Sequence, residues 1–269
     1  IPWIKSSENK VYLSFVFARP HLSHICIYLI FGSGSGHSLI AMHSISRDEM
    51  EKQTVADCIA LLEKEYGIPR PDEEDPVDLL VKTILSQNTS DANSLPAFAR
   101  LKRAFPDYES LLRATDEAVS QSIRRGGLAE IKAKRIKAAL ERIKEEQGEI
   151  SLAALAGMKK EQAMDYLLRL PGVGPKTASI VLLFAFGMPF LPVDTHVFRL
   201  SQRLGLVEEK ANPEKAQKML ERIVPPDKYV SFHLNLIRHG RQVCHARGPS
   251  HDKCCLQGCC DYVRGKRLK

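Results

Sequence analysis

A lysine at the start of a helix can serve as a nucleophile, and Lys176 occupies such a place. It lies in LPGVGPKT, residues 170–177. Gly172 and Gly174 allow a tight turn and leave backbone N–H groups uncovered by side chains. Pro175 suits the first position of the next helix. The segment therefore predicts two helices joined by a glycine hairpin, with a helix N-terminus at its mouth. Such an end holds a phosphate through its N–H groups and dipole. The same dipole favours the neutral amine that a nucleophilic lysine needs. Eighteen residues later VDTHVFR brings a carboxylate, Asp194, which also reads as the N-cap of a helix starting at Thr195.

A second group of reactive side chains stands near the C-terminus. Of seven cysteines, Cys26 and Cys58 are isolated, while Cys244, Cys254, Cys255, Cys259 and Cys260 fall within 17 residues. An odd number packed this tightly is a poor disulfide framework. It reads as a metal or iron–sulfur site in a reducing compartment.

The elements that must position these groups read as helices, so the fold class is all-α. Asp75, Asp107, Thr115 and Asn212 are cap candidates, with Pro76 and Pro213 in first-turn positions. Val55, Ile59, Leu62 and Tyr66 share one apolar face, as do Ile136, Leu140 and Ile143. No run of alternating residues bounded by hairpin turns stands out. Ala178 to Phe186 is apolar all round, and Gly187, Pro189 and Pro192 end it far short of a membrane span, so it reads as a core helix. Residues 1–45 read as a poorly ordered extension. Their apolar stretch at 11–31 contains Arg19 and Pro20, which argues against a spanning or signal segment, and FGSGSGH after it reads as a flexible linker. The net charge of +7 and pI of about 9.0 suit a polyanionic partner.

LPGVG-x-KTA followed by VDTHVFRL resembles the helix-hairpin-helix and the Gly/Pro-rich loop ending in aspartate of the endonuclease III family, within the HhH-GPD superfamily. The resemblance covers about residues 50–262. It implies two helical lobes around a DNA-binding cleft: a six-helix lobe at 70–188 containing the hairpin, and a cluster lobe made of 46–69 and 189–269. It also implies a bifunctional glycosylase and abasic-site lyase acting on oxidised pyrimidines in duplex DNA. Lys176 would attack the anomeric carbon and form a Schiff base, after which the strand is cut by β-elimination. Asp194 would stabilise the positive charge on the sugar or help Lys176 lose its proton. Pro175 stands where the family has a basic residue.

The family spacing C-x6-C-x2-C-x5-C holds a 4Fe–4S cluster. Counted from Cys244, those positions are His251, Cys254 and Cys260. The second ligand is thus histidine here, with Cys255 or Cys259 as alternative fourth ligands and zinc as an alternative metal. The cluster would fix a loop carrying Arg241, His245, Arg247 and Lys253 against the DNA backbone, and Arg264, Lys266, Arg267 and Lys269 add charge behind it. ILSQNTSD at 84–91 resembles the family loop whose polar side chain enters the stack vacated by a flipped base, with Gln87 and Asn88 as candidates. His196, His233 and His239 read as structural. The expected setting is a monomer bound to duplex DNA with a damaged base or abasic site and no membrane. It would be cytoplasmic and nucleoid-associated, or nuclear in a eukaryote. Two other readings stay open: a monofunctional mismatch or alkylation glycosylase of the same fold, and a non-catalytic helix-hairpin-helix DNA-binding protein. Lys176 speaks against the first, and Asp194 with the LSQNT loop against the second.

Overall fold

The computed structural model describes residues 10–15, 24–33 and 36–265, and the basic residues Lys266, Arg267 and Lys269 lie outside them. From Arg47 onward every regular element among these is helical, as the sequence predicts. In order they are α1 (Arg47–Tyr66), α2 (Pro76–Ser86), α3 (Asp91–Ala104), α4 (Tyr108–Arg113), α5 (Asp116–Ser122), α6 (Ala129–Gln147), α7 (Lys160–Leu168), α8 (Pro175–Phe186), α9 (Thr195–Arg203), α10 (Pro213–Ile223) and α11 (Tyr229–Gln242). The stretch 70–188 contains seven helices, two of them only six and seven residues long. The chain divides into two compact units, residues 1–60 and 61–269.

The caps form as their residue types require. Asp75 accepts from the N–H groups of Val77 (2.9 Å) and Asp78 (3.0 Å). Asp107, Thr115 and Asn212 cap α4, α5 and α10 in the same manner. Each cap satisfies N–H groups that the helix leaves unpaired, a contribution of about 1 kcal/mol. The core of this unit packs α2, α3, α6, α7 and α8, with Leu80, Ile84, Leu101, Ile136, Leu140, Val181 and Leu182 fully buried. In α8 the residues Ala178, Ser179, Val181, Leu182 and Leu183 are all buried, so the apolar segment is a core helix. No described helix is long and apolar enough to cross a membrane. The end of α1 is pinned to α11. Glu63 accepts from Lys228 Nζ (3.1 Å) and Ser231 Oγ (2.7 Å), and Asn235 Nδ2 donates to Gly67 O (3.0 Å).

One lysine of the basic helix α6 points inward. Lys132 is 1% exposed, and its Nζ donates to Leu85 O (2.6 Å) and Gly126 O (2.8 Å). It thereby ties the end of α2 to the turn before α6, and burial lowers its affinity for the proton. Lys132→Met keeps the stem but strands both carbonyls. At roughly 1–3 kcal/mol for an unsatisfied buried group, it is expected to destabilise the protein by about 2–4 kcal/mol in urea unfolding, whereas exposed Lys134→Met shifts it by less than about 0.5 kcal/mol.

The unit preceding these helices departs from expectation. It holds three antiparallel strands in the order β1 (Lys10–Phe15), β2 (His24–Ser33) and β3 (Gly36–Ser46), together with most of α1. Tyr12 pairs with Ile30 and Ile27 with His43, with an irregularity between Leu29 and Ile30. The stretch taken for a linker lies where β2 gives way to β3, with Ser33 paired to Gly36. The strands are rich in Ile and carry Tyr and Phe, types that favour pleated surfaces. A continuous apolar run without alternation conceals that preference.

Candidate active site

The hairpin folds as its glycines demand. α7 ends at Leu168 and α8 begins at Pro175, with Gly172 at φ +79° and Gly174 as the N-cap of α8. A Cβ on Gly172 would lie 2.8 Å from Arg135 Cδ, so both conformation and space require glycine there. Lys176 is exposed in the first turn of α8. Gln87 Nε2 donates to Gly172 O (2.9 Å), and Arg135 Nη1 donates to Gln87 Oε1 (3.3 Å). The Gln87 amide is thus tied to the hairpin. Its neighbour Asn88 is exposed in the left-handed region, at φ +54°.

Asp194 caps α9 through one oxygen. Its Oδ1 accepts from the N–H groups of His196 (2.9 Å) and Val197 (2.8 Å), leaving Oδ2 without a hydrogen bond among the described residues. One imidazole touches both the segment before Asp194 and the helix that Lys176 opens. His233 on α11 is 3% exposed, and its Nδ1 bonds Pro192 O (2.8 Å), two residues before Asp194. Its ring stands edge-on to Phe184 of α8, with centroids 5.9 Å apart. Burial pushes its pKa down to about 4, against the pull of the Asp194 carboxylate and with the push of the Lys176 ammonium. From the sequence His233 reads only as structural, since nothing local connects it to residues 39 and 57 positions away.

His233 also lines a pocket of about 330 Å³ with Thr83, Ser86, Asp91, Ile180 and Phe184. That volume is near the lower end of the range for small-molecule sites, roughly 300–1,000 Å³. Ile180 and Phe184 follow Lys176 at steps of four, so Lys176 lies on the α8 face that forms this wall. A larger open depression of about 890 Å³ runs past Asp116, Arg124, Leu128 and Lys134 and includes none of these groups.

The buried neutral His233 has a consequence for stability. Between its ordinary value of 6.5 and its folded value of about 4, the unfolded chain binds a proton that the folded chain refuses. Stability is therefore present above pH 6.5 and is lost as the pH falls toward 4. The urea midpoint should drop across this window, and less steeply in His233→Asn, which has no such proton to refuse.

The cysteine-rich segment gathers the predicted ligands. Cys244, His251, Cys254 and Cys260 line one small pocket, and Cys255 and Cys259 do not. Cys255 Sγ lies 3.9 Å from His239 Nδ1, and Cys259 Sγ donates to Leu256 O (3.4 Å). The His251 ring stacks on Tyr262, with centroids 6.0 Å apart. Arg203, at the end of α9, donates to Cys244 Sγ (3.0 Å), His245 O (2.7 Å) and Ala246 O (3.0 Å). Cys58, Cys244, Cys254, Cys255, Cys259 and Cys260 form no disulfide. As they stand, no three His, Cys, Asp or Glu side chains among the described residues converge tightly enough to hold a metal ion. The donor set itself, three thiols and an imidazole around one pocket, fits iron–sulfur or zinc chemistry. Burial pushes the Cys254 and Cys260 thiols up, and Cys255 up to about 11. A bound cation would reverse this by favouring the thiolates.

Arg247, Lys253 and Arg264 are exposed on the same segment. Arg241 is also exposed, but its Nη1 is paired with Asp91 Oδ2 at 2.8 Å. Any phosphate must compete with that carboxylate.

Residues 81–226 match the model of the HhH-GPD superfamily of base excision DNA repair proteins. The chain is 36% identical to an endonuclease III of Synechocystis sp., covering 78% of this chain and 93% of that one. It is 34% identical to an endonuclease III of Thermotoga maritima, covering 71% and 85%. Among solved structures, a trapped endonuclease III–DNA covalent intermediate matches with a TM-score of 0.70 and 28% identity, over 80% of this chain and 98% of that one.

Proposed function

The chain belongs to the HhH-GPD superfamily of base excision DNA repair proteins and is an endonuclease III-like enzyme, and from that premise we propose that it excises oxidised or ring-saturated pyrimidines from duplex DNA and cuts the resulting abasic site. Lys176 is the nucleophile. Its neutral amine forms a bond to C1′ as the glycosidic bond breaks, and the electron pair leaves with the base, which takes up a proton. Opening of the sugar ring gives the protonated Schiff base. Loss of a C2′ proton then expels the 3′-phosphate by β-elimination, and hydrolysis frees the lysine. Asp194 Oδ2 faces the positive charge that develops on the sugar and accepts the proton Lys176 sheds. The observation that carries this reading is the placement of the two groups: Lys176 opens α8 directly after the glycine hairpin, and Asp194 caps α9 through one oxygen, while His233, bonded to Pro192 O two residues before Asp194, lines a pocket with Ile180 and Phe184 of α8.

In this reading the hairpin N–H groups at Gly172 and Gly174 grip a phosphate, with Arg247 and Lys253 on the backbone nearby and Arg241 once released from Asp91. Asn88 enters the vacated stack, and Gln87 braces its loop against the hairpin. Cys244, His251, Cys254 and Cys260 hold a 4Fe–4S cluster, which supplies a structural staple for the basic loop. The enzyme works where genomic DNA is kept.

Borohydride trapping tests this reading. Duplexes carrying dihydrouracil, thymine glycol or a plain abasic site are mixed with the protein and reduced. Covalent adducts on all three are expected. Base release without an adduct would mean a monofunctional glycosylase, and DNA binding with neither would leave a binding module.

A further inference from the structure

The pocket walled by Ile180 and Phe184 of α8 has a one-sided polar lining. The Thr83 hydroxyl donates its proton to Leu79 O (2.7 Å), and that of Ser86 to Thr83 O (2.8 Å), so both oxygens turn lone pairs outward. Asp91 adds a carboxylate, one oxygen of which is taken by Arg241 Nη1 (2.8 Å), and Lys82, the cation on this wall, is paired with Glu74. His233 completes the set. With Nδ1–H donated to Pro192 O, the neutral ring is left with a lone pair on Nε2, which has no hydrogen-bond partner among the described residues. Burial keeps the ring neutral near pH 7. A wall of acceptors calls for a ligand edge that carries N–H donors, because an acceptor facing an acceptor leaves both unpaired.

Resting on the glycosylase reading above, we propose that His233 Nε2 accepts the imide N3–H of the extruded pyrimidine and so helps decide which bases this pocket takes. Ring-saturated uracil and thymine keep that imide donor after losing their aromaticity. A base with a lone pair at N3 would meet the lone pair of His233. The Nδ1 bond to Pro192 fixes the tautomer, and the Phe184 contact fixes the ring plane.

The test compares base release from duplexes containing dihydrouracil or N3-methyl-dihydrouracil with cleavage of a plain abasic duplex, by full-length wild-type protein and by His233→Asn. Asparagine can keep the bond to Pro192 O through its amide nitrogen but has nothing at the Nε2 position. For wild type, N3-methylation is expected to lower the ratio of base release to abasic cleavage by roughly tenfold or more. His233→Asn should lower that ratio similarly on dihydrouracil and show little additional penalty for the methyl group. Equal methyl penalties in the two proteins would overturn the assignment, as would wild type indifferent to the methyl group. Parallel loss of base release and abasic cleavage in His233→Asn would overturn it in favour of a role confined to placing the Pro192–Asp194 segment. Should the variant fail to fold, the wild-type comparison alone still decides whether N3–H is read. Wild type unable to cleave the abasic duplex would instead sink the enzymatic reading on which the proposal rests.

Discussion

Lys176→Ala is expected to abolish both the borohydride adduct and strand cleavage, by a factor on the order of 10³ or more, as removal of a nucleophile does. The side chain is exposed, so the fold should shift by no more than about 0.5 kcal/mol. Duplex binding, measured by fluorescence anisotropy, should persist. Lys176→Arg separates charge from chemistry: it retains the cation but cannot supply a neutral amine, and it should be as inactive as alanine. Asp194 needs a different pair of variants because it caps α9 and is also the proposed partner of Lys176. Asp194→Asn keeps an oxygen to cap α9 and should unfold near the wild-type midpoint, while turnover falls roughly 10²–10⁴-fold. Asp194→Ala should lose activity and also about 1 kcal/mol of stability. Base release that survives in Lys176→Ala would reject the lysine as nucleophile and favour the monofunctional glycosylase.

What could be read from the sequence was what neighbouring residues decide. Asp75, Asp107, Thr115, Asn212 and Asp194 cap helices through bonds to residues two or three positions on, so type and position suffice. The Lys176 hairpin was legible for the same reason, its glycines and proline each answering a local backbone demand. Long-range contacts were not legible. Lys132 looks like any cation of a charged helix, and only the carbonyls of Leu85 and Gly126 make it a core residue. Gln87 and Asn88 are equivalent on the page until an oxygen 85 residues away, on Gly172, claims the glutamine. Nothing near Arg241 in the sequence announces its ion pair with Asp91, 150 residues earlier. The strands β1, β2 and β3 were missed because sheets are specified by pairing across the chain, and a continuous apolar run gives no period from which to infer it.

Cys260→Ser is expected to release the proposed cluster and to lower the melting temperature by at least about 10 °C, given that 1 kcal/mol moves it by roughly 2–4 °C in a domain of this size. The segment after α11 has little else to hold it. Its regular structure is two 3₁₀ turns, and Leu256 and Cys260 are its buried side chains beyond Val243. What anchors it is the end of α9. Arg203 donates to Cys244 and to the carbonyls of His245 and Ala246, its own carbonyl accepts from Tyr262 N (2.9 Å), and Arg199 Nη2 holds Cys244 O (2.9 Å). The same helix begins at Asp194. Loss of the cluster should therefore be felt at both ends of α9. Duplex affinity should fall, with a shallower salt dependence as Arg247 and Lys253 lose their fixed positions. Turnover should fall further than affinity, as the carboxylate at the head of α9 loses its support. Elemental analysis decides the metal: about four iron and four sulfide per chain, or one zinc. It also decides the fourth ligand, because Cys255→Ala and Cys259→Ala should retain full metal content while His251→Ala does not. Full iron in His251→Ala with depleted iron in Cys255→Ala would transfer that role to the spare thiol.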